Sequence, residues 1–171
     1  IRAVSLRQKA RRREAVLSCR RHCNMSEKIQ FEQLNSDWNA EPNAPEVEIA
    51  IAGNDLTLHF FLNAFQYERF NHGDRATLVF HDCLKYRYGA PNDEGFYVFG
   101  ESRYKPFGVK WGEFYRVCGA DWGNDFPDAI FVSKQPHDAL SHYLFYFRDG
   151  AFECVAKNYD LLIEFETIFE K

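Results

Sequence analysis

Residues 141–157, SHYLFYFRDGAFECVAK, decide the fold class. Asp149-Gly150 is a two-residue turn signal between two apolar runs, Ser141–Arg148 and Ala151–Lys157, which predicts a β-hairpin. With that turn, three residue pairs face each other on one side of the ribbon: Phe147 with Phe152, Phe145 with Cys154, and Tyr143 with Ala156. This side is nearly free of polar atoms and is predicted to be the core face. Tyr146 and Glu153 lie on the other side, where we expect them to reach solvent or each other.

The residues before this hairpin continue the same alternation of apolar and polar side chains. Val47, Ile49 and Ile51 share one face, and Gly53-Asn54 supplies a turn before the alternating run Leu56–Leu62, so a second hairpin is predicted. Further strands are predicted over 76–88 (one long bent strand), 96–99, 109–117 and 129–132. The polar stretch before Val47 is expected to hold a helical turn around Phe31–Leu34 and then a loop.

The C-terminal residues follow a helical spacing. Asn158 is a suitable N-cap, and apolar residues recur after it at intervals of three and four: Tyr159, Leu162, Phe165, Ile168 and Phe169. The fold class is therefore predicted to be mainly β (α+β), a single antiparallel sandwich or curled sheet with a C-terminal helix. Alternating β-α units are absent, which disfavours a doubly wound nucleotide-binding fold.

The length of the chain suits one domain, and its charge separates a basic N-terminal part from an acidic remainder. It has 171 residues, suited to one compact domain, and it has no run of eighteen apolar residues from which a membrane-spanning helix would form. Residues 1–24 hold eight basic residues and one acid, whereas residues 25–171 hold 13 basic and 24 acidic residues, a net charge of −11. Met25 is the single methionine. We expect a basic leader over 1–24 that is non-native or disordered, a polar segment over 25–46, and an antiparallel β domain over 47–171.

The basic leader has other interpretations. Its seven arginines and one lysine could bind nucleic acid or an anionic surface, so a nucleic-acid partner is expected only if residues 1–24 are native. Cys19-x-x-His22-Cys23 contains three soft metal ligands, but no second pair follows at zinc-finger spacing. No metal and no cofactor are predicted. The three cysteines of residues 25–171 are scattered, which favours a reducing compartment, and the cytoplasm is the expected location.

Acidic and aromatic residues are concentrated in two loops. The richest loop is DWGNDFPD, in which Asp121, Trp122, Asp125, Phe126 and Asp128 are the candidate partner-binding residues. Its acids could also hold a hard cation, but the spacing differs from the twelve-residue calcium loop, and a solvated acidic loop is the simpler interpretation. In the second loop, Asp93 and Glu94 precede Phe96 and Tyr97. Apolar anchors beside negative charge are suited to binding a basic protein surface.

A catalytic or ligand-binding alternative rests on three other residues. Glu113 shares a face with Trp111 and Tyr115 in an alternating run, and a carboxylate facing inward there would be a candidate acid or base. This alternative is a small-ligand-binding or hydrolytic β domain with a cavity lined by Glu113, His81 and Tyr115. Phosphate-binding glycine loops and the usual serine-hydrolase and zinc-protease motifs are absent.

Two stretches, HYLFYFRDGAFECVAKNY at 142–159 and GAPNDEGFYVFGES at 89–102, resemble segments of small uncharacterised acidic bacterial β-rich proteins. In character such proteins are similar to immunity proteins, which neutralise toxins. The resemblance is in keeping with what the charge of residues 25–171 and the two loops predict: a bacterial, non-enzymatic interaction protein that presents an acidic, aromatic-rich surface to a basic protein partner. It supplies no catalytic residues.

Overall fold

The computed structural model describes residues 28–100, 104–120, 128–134 and 139–166. These ranges contain ten strands: β1 (Gln30–Gln33), β2 (Glu48–Ala52), β3 (Asp55–Phe61), β4 (Arg75–His81), β5 (Lys85–Gly89), β6 (Phe114–Cys118), β7 (Ile130–Phe131), β8 (Ser141–Phe147), β9 (Gly150–Ala156) and β10 (Asn158–Glu164). They also contain one π-helical turn (Gly95–Phe99) and one 3₁₀ turn (Lys105–Phe107). A membrane-spanning helix is not found among these residues, whose helical segments are short turns.

The strands form two antiparallel sheets, which confirms the prediction of a mainly β, antiparallel fold. The large sheet has six strands in the order β1-β6-β8-β9-β5-β7, and the small sheet has four in the order β10-β4-β3-β2. Both predicted hairpins are present, as β2-β3 and as β8-β9. Apolar residues from both sheets form one cluster between them, so the architecture is a sandwich.

Aromatic rings fill the space between the sheets. Phe60 of the small sheet lies 5.2 Å from Phe145 of the large sheet, and Phe80 lies 5.3 Å from Phe152 (centroid distances). Trp38, from the segment before β2, packs between the sheets and is 2% exposed. Large rings suit this position because each one spans much of the distance between two twisted sheets.

The large sheet is covered on its second face as well. Residues 95–100 and 104–111 lie over that face, and they contribute Phe96, Tyr104 and Val109 to a separate buried cluster with Tyr115 and Tyr146. β8 and β9 are therefore buried on both faces over most of their length. The fold consequently has three layers: the small sheet, the large sheet and a cover of irregular chain.

The predicted C-terminal helix is wrong over residues 158–164. These residues form β10, which pairs with β4 in the register Asn158↔His81 to Glu164↔Arg75. Tyr159 and Leu161 are buried, while Asp160 between them is exposed. The spacing of apolar residues after Asn158 fits both a helix and a strand. The unpaired edge of β4 favours the strand, because pairing there satisfies the backbone hydrogen-bonding groups of both strands. Ile168 and Phe169 lie outside the described residues.

The β8-β9 hairpin has a different register from the predicted one. Phe147 pairs with Gly150 and Phe145 with Phe152, so the two loop residues are Arg148 and Asp149. The shift is two residues, which keeps every side chain on its predicted face. The face that holds Tyr143 and Phe145 is the core face, as predicted. The other face does not reach solvent: Tyr146 and Glu153 are both buried, and Phe96 and Trp111 of the cover pack on Tyr146.

Three local predictions also differ. Residues 76–88 form two strands in different sheets, because Asp82 takes a positive φ of 48° and the chain turns the corner there. Residues 96–99 are a π-helical turn, because Asn92 and Asp93 begin a turn that continues through them. Residues 31–33 belong to β1, which finds a partner in the exposed edge of β6.

Candidate functional site

The predicted partner-binding residues are only partly within the described ranges. Asp121, Trp122, Asp125 and Phe126 lie outside them. Asp128 is exposed, Glu94 is exposed and Asp93 is half-buried. Glu94 therefore lies at the surface beside the π-helical turn, and Asp128 lies at the surface two residues before β7.

The turn that precedes the π-helical turn is held by specific hydrogen bonds. The side-chain oxygen of Asn92 accepts from the Gly95 N–H at 2.8 Å, and its carbonyl accepts from the Phe96 N–H at 2.9 Å. The Asp93 N–H donates to the Arg148 carbonyl at 2.9 Å, which joins this loop to the turn of the β8-β9 hairpin. Asn side chains favour such turns because they bond to backbone N–H groups two or three residues further along.

The π-helical turn exposes three consecutive apolar side chains, Tyr97 (61% exposed), Val98 (69%) and Phe99 (65%). We call them the Tyr97–Phe99 patch. Phe96 points the other way, is 3% exposed, and contacts Trp111 and Tyr146 at centroid distances of 5.1 and 5.2 Å. The Nζ of Lys105 donates to the carbonyls of Phe96 and Tyr97. The patch thus rests on a buried anchor.

Two further apolar side chains are exposed near an acidic residue. Ile130 is 53% exposed and Phe131 is 66% exposed, and they form β7 at the edge of the large sheet. Asp128 precedes them by two residues. Sequence reasoning placed Phe96 and Tyr97 beside the acidic residues of their loop, but it assigned 96–99 and 129–132 to strands. It therefore did not single out the exposed side chains of Val98, Phe99, Ile130 and Phe131.

A buried polar cluster lies beneath the cover and was also missed. The carboxylate of Glu153 (1% exposed) accepts from His142 Nε2 at 2.8 Å through one oxygen. Its other oxygen accepts from Arg87 Nη2 at 2.7 Å and Nε at 3.0 Å. His142 is 1% exposed and Arg87 is 23% exposed at the side chain. The cluster joins β5, β8 and β9, and such charge-assisted bonds are short and strong.

The three residues of the predicted cavity do not come together. His81 follows Phe80, which faces the core, so His81 lies on the outer face of the small sheet. Tyr115 lies on the covered face of the large sheet, on the opposite side of the sandwich. Glu113 lies just before β6, where its Oε2 accepts from Asn35 Nδ2 at 2.7 Å and from Gln33 Nε2 at 3.0 Å.

His81 is instead part of a surface cluster with two carboxylates. Its Nδ1 lies 3.0 Å from Asp55 Oδ2 and its Nε2 lies 3.2 Å from Asp160 Oδ2, so it links β3, β4 and β10. Partial burial alone lowers the pKa of His81, but the hydrogen bonds and charges of Asp55 and Asp160 together outweigh it and raise the pKa above its usual value. The imidazolium is therefore stabilised in the folded state.

We expect this cluster to make stability depend on pH. A raised pKa in the folded state gives a stabilisation that is fully present below the unfolded pKa of about 6.5 and is lost as the pH rises through the higher folded value. The free energy of unfolding in urea should therefore fall more on His81→Gln at pH 5.5 than at pH 8.5. His59→Gln is the matched control, because His59 bonds to the Thr77 hydroxyl at 2.7 Å. An equal loss at both pH values for His81→Gln would contradict this prediction.

Two cysteines of the described ranges are buried thiols. Cys83 and Cys154 are fully buried in the core between the sheets, and burial raises the pKa of the Cys154 thiol. A buried thiol with a raised pKa is a poor nucleophile, because the thiolate is the reactive form. Across the described ranges, no three His, Cys, Asp or Glu side chains are grouped so that they could hold a metal ion.

Comparison with known proteins identifies no relative: no family model, no curated protein and no solved structure matches the chain.

Proposed function

We propose that this protein is a non-enzymatic interaction protein whose Tyr97–Phe99 patch binds a basic protein partner. The single observation that carries the proposal is the exposure of three consecutive apolar side chains on a turn whose other side is fixed in the core. Exposed apolar groups next to one another are typical of protein contact sites, whereas single exposed apolar residues are ordinary.

The patch is supported as a preformed surface. Phe96 anchors the turn against Trp111 and Tyr146, Asn92 caps its start, and Lys105 binds its carbonyls. A surface that is rigid before binding loses little conformational entropy when a partner docks, so more of the contact energy remains as affinity. Tyr and Phe side chains are also among those enriched at protein interfaces.

Charge favours a basic partner. Residues 25–171 carry a net charge of −11, and Glu94 and Asp93 precede Tyr97 by three and four residues. Negative charge around an apolar contact attracts a cationic surface over several ångströms and rejects an anionic one. A partner that fits is a protein with a cationic active site, such as a nuclease, which an immunity protein would occlude.

The test is capture of partners from the native host by the full chain, compared between wild type and the combined variant Tyr97→Ser, Val98→Ser and Phe99→Ser. We expect a basic protein to be captured and the variant to bind it roughly 30-fold more weakly, because the loss of central apolar anchors costs about 2 kcal/mol or more. The association rate should fall as salt rises, because attraction between surface charges is screened.

Phe65→Ser is the control, since Phe65 is 64% exposed but stands outside the patch. It should leave capture unchanged. Capture of an acidic protein alone, or equal capture by wild type and the combined patch variant, would rule the proposal out. A further combined variant, Asp121→Ala, Trp122→Ala and Asp125→Ala, tests whether the residues outside the described ranges contribute to the same binding.

A further inference from the structure

A groove of about 870 Å³ is lined by residues of β1, and the Tyr97–Phe99 patch is not part of its lining. One wall is the strand with the residues before it, 28–33, and the other is the segment 106–110. Binding sites for small ligands usually measure about 300–1,000 Å³, so this groove is large enough for a few residues of an extended peptide.

The backbone of β1, whose residues line this groove, has hydrogen-bonding groups that do not bond to β6. β1 pairs with β6 in an antiparallel register, and the Leu34 N–H donates to the Phe114 carbonyl at 2.8 Å. Because bonded pairs alternate along an antiparallel ladder, Gln30 and Glu32 also bond toward β6, and the N–H and C=O groups of Phe31 and Gln33 point away from it. Among the described strands, none pairs with that side of β1.

The wall opposite β1 is apolar and fixed in place. The ring of Phe31 lies 5.9 Å from that of Phe107, which is 43% exposed, and 6.2 Å from that of Tyr115. The Lys110 N–H donates to the Tyr115 hydroxyl at 2.9 Å, and Gly108 takes a positive φ of 82° that ends the 3₁₀ turn. The groove is thus formed by contacts within the chain and is present before any partner binds.

The charge of the groove is opposite to that of the chain. Its lining includes Lys28 and Lys110, both exposed, and no Asp or Glu. Within the described ranges, neither lysine forms an ion pair. The chain as a whole has a net charge of −4. Two cations beside an apolar wall are complementary to a segment that alternates acidic and apolar side chains.

We propose that this groove binds an extended acidic peptide segment, which adds a strand to β1 through Phe31 and Gln33 and places its carboxylates near Lys28 and Lys110. Strand addition of this kind takes its affinity from main-chain hydrogen bonds and its selectivity from the side-chain environment along the edge. The proposal is independent of the Tyr97–Phe99 patch and requires a second partner of the opposite charge.

The test is a fluorescence-anisotropy titration of a fluorescein-labelled peptide, acetyl-Glu-Val-Glu-Val-Glu-Val-amide, with the full chain. We expect saturable binding with a Kd below about 1 mM. Lys28→Glu and Lys110→Glu should each weaken it about threefold, and the double variant about tenfold, because exposed charge pairs contribute up to about 1 kcal/mol. The amides of Phe31 and Gln33 should become protected from hydrogen exchange in the complex.

Four controls separate strand addition from general attraction. Lys134→Glu makes the same change in net charge as each single variant, at an exposed lysine outside the groove, and should alter the Kd by less than about twofold. A Lys-Val peptide of equal length should not bind to the chain that carries the Tyr97, Val98 and Phe99 substitutions, and an N-methylated Glu-Val peptide, which lacks donors, should bind at least tenfold more weakly. The combined variant of Tyr97, Val98 and Phe99 should bind the peptide normally.

Several outcomes would overturn the proposal: no saturable binding, equal binding of the Glu-Val and Lys-Val peptides to the chain with the Tyr97, Val98 and Phe99 substitutions, equal binding of the N-methylated peptide, or unchanged binding by the double variant. Sedimentation of the free protein tests for one more outcome that would overturn the proposal. A dimer that dissociates on Lys28→Glu with Lys110→Glu would identify a second copy of this chain as the occupant instead of an acidic peptide.

Discussion

Replacing Glu153 by alanine is expected to lower the free energy of unfolding by about 3–5 kcal/mol. Glu153 is 1% exposed, and its carboxylate is the shared partner of Arg87 and His142. Its removal leaves a guanidinium and an imidazole beneath the cover without that carboxylate, and a buried polar group that loses its partner pays its full desolvation cost. Urea denaturation followed by circular dichroism measures the change.

The matched control is Glu32→Ala. Glu32 bonds to Arg116 at 3.0 Å on the same sheet, but its side chain is 59% exposed, so we expect a loss below about 1 kcal/mol. Glu153→Gln keeps the shape and an acceptor for Arg87, and should cost less than Glu153→Ala. Equal losses for the Glu153→Ala and Glu32→Ala variants would show that the buried cluster does not stabilise the fold.

The strands could be predicted from the sequence wherever one face is apolar. The alternation through residues 141–157 identifies the β8-β9 hairpin and the face that packs on the small sheet. The register could not be predicted, because Arg148-Asp149 and Asp149-Gly150 are both acceptable two-residue loops. A shift of two residues changes every cross-strand pair and no face, so the hydrophobic pattern does not discriminate between them.

The C-terminal strand could not be predicted from the sequence for a different reason. Tyr159, Leu162 and Phe165 follow a helical period, while Tyr159, Leu161 and Ile163 follow the period of a strand. Local sequence therefore supports both structures. The free edge of β4 decides between them, and that edge is a property of the assembled sheet that no window of sequence contains.

The candidate site was only partly predictable for a related reason. Acidic residues beside aromatic ones mark the loops around Asp93 and Asp128, and this composition is visible in the sequence. The exposure of Tyr97 and Phe99 depends on the π-helical turn, and the burial of the sheet face that holds His142 depends on residues 95–100 and 104–111, which pack on it. Both follow from the path of an irregular segment, which has no periodic signal.

The same cover explains why the large sheet carries a charged cluster at its centre. An antiparallel sheet with one solvated face places polar residues outward, as the positions of His142 and Glu153 on that face would suggest. When a further layer covers that face, these polar groups have to satisfy one another, and Arg87 completes the set. The cluster therefore fixes the relative positions of β5, β8 and β9 beneath the layer that holds the Tyr97–Phe99 patch.

The segment before β2 is expected to be as important for stability as the strands. Trp38 is 2% exposed and its ring lies 5.9 Å from Phe60, 6.0 Å from Phe114 and 5.9 Å from Phe145, so it contacts both sheets. Asn35 holds the segment in place, since its Oδ1 accepts from the Phe114 N–H at 2.9 Å and its Nδ2 donates to the Trp38 carbonyl at 2.7 Å.

Trp38→Ala should therefore lower the free energy of unfolding by about 3–5 kcal/mol, because it removes a large ring from the middle of the core and leaves a cavity between the sheets. Trp38→Phe, which fills much of that space, should cost less. Trp111→Ala is the matched control: Trp111 is half-buried on the cover, where solvent can reach the vacated space, and its loss should be smaller. Urea denaturation of the three variants checks this order. A loss below about 1 kcal/mol for Trp38→Ala would mean that residues 28–46 lie against a core that is complete without them, and the sandwich would then owe its stability to the strands alone.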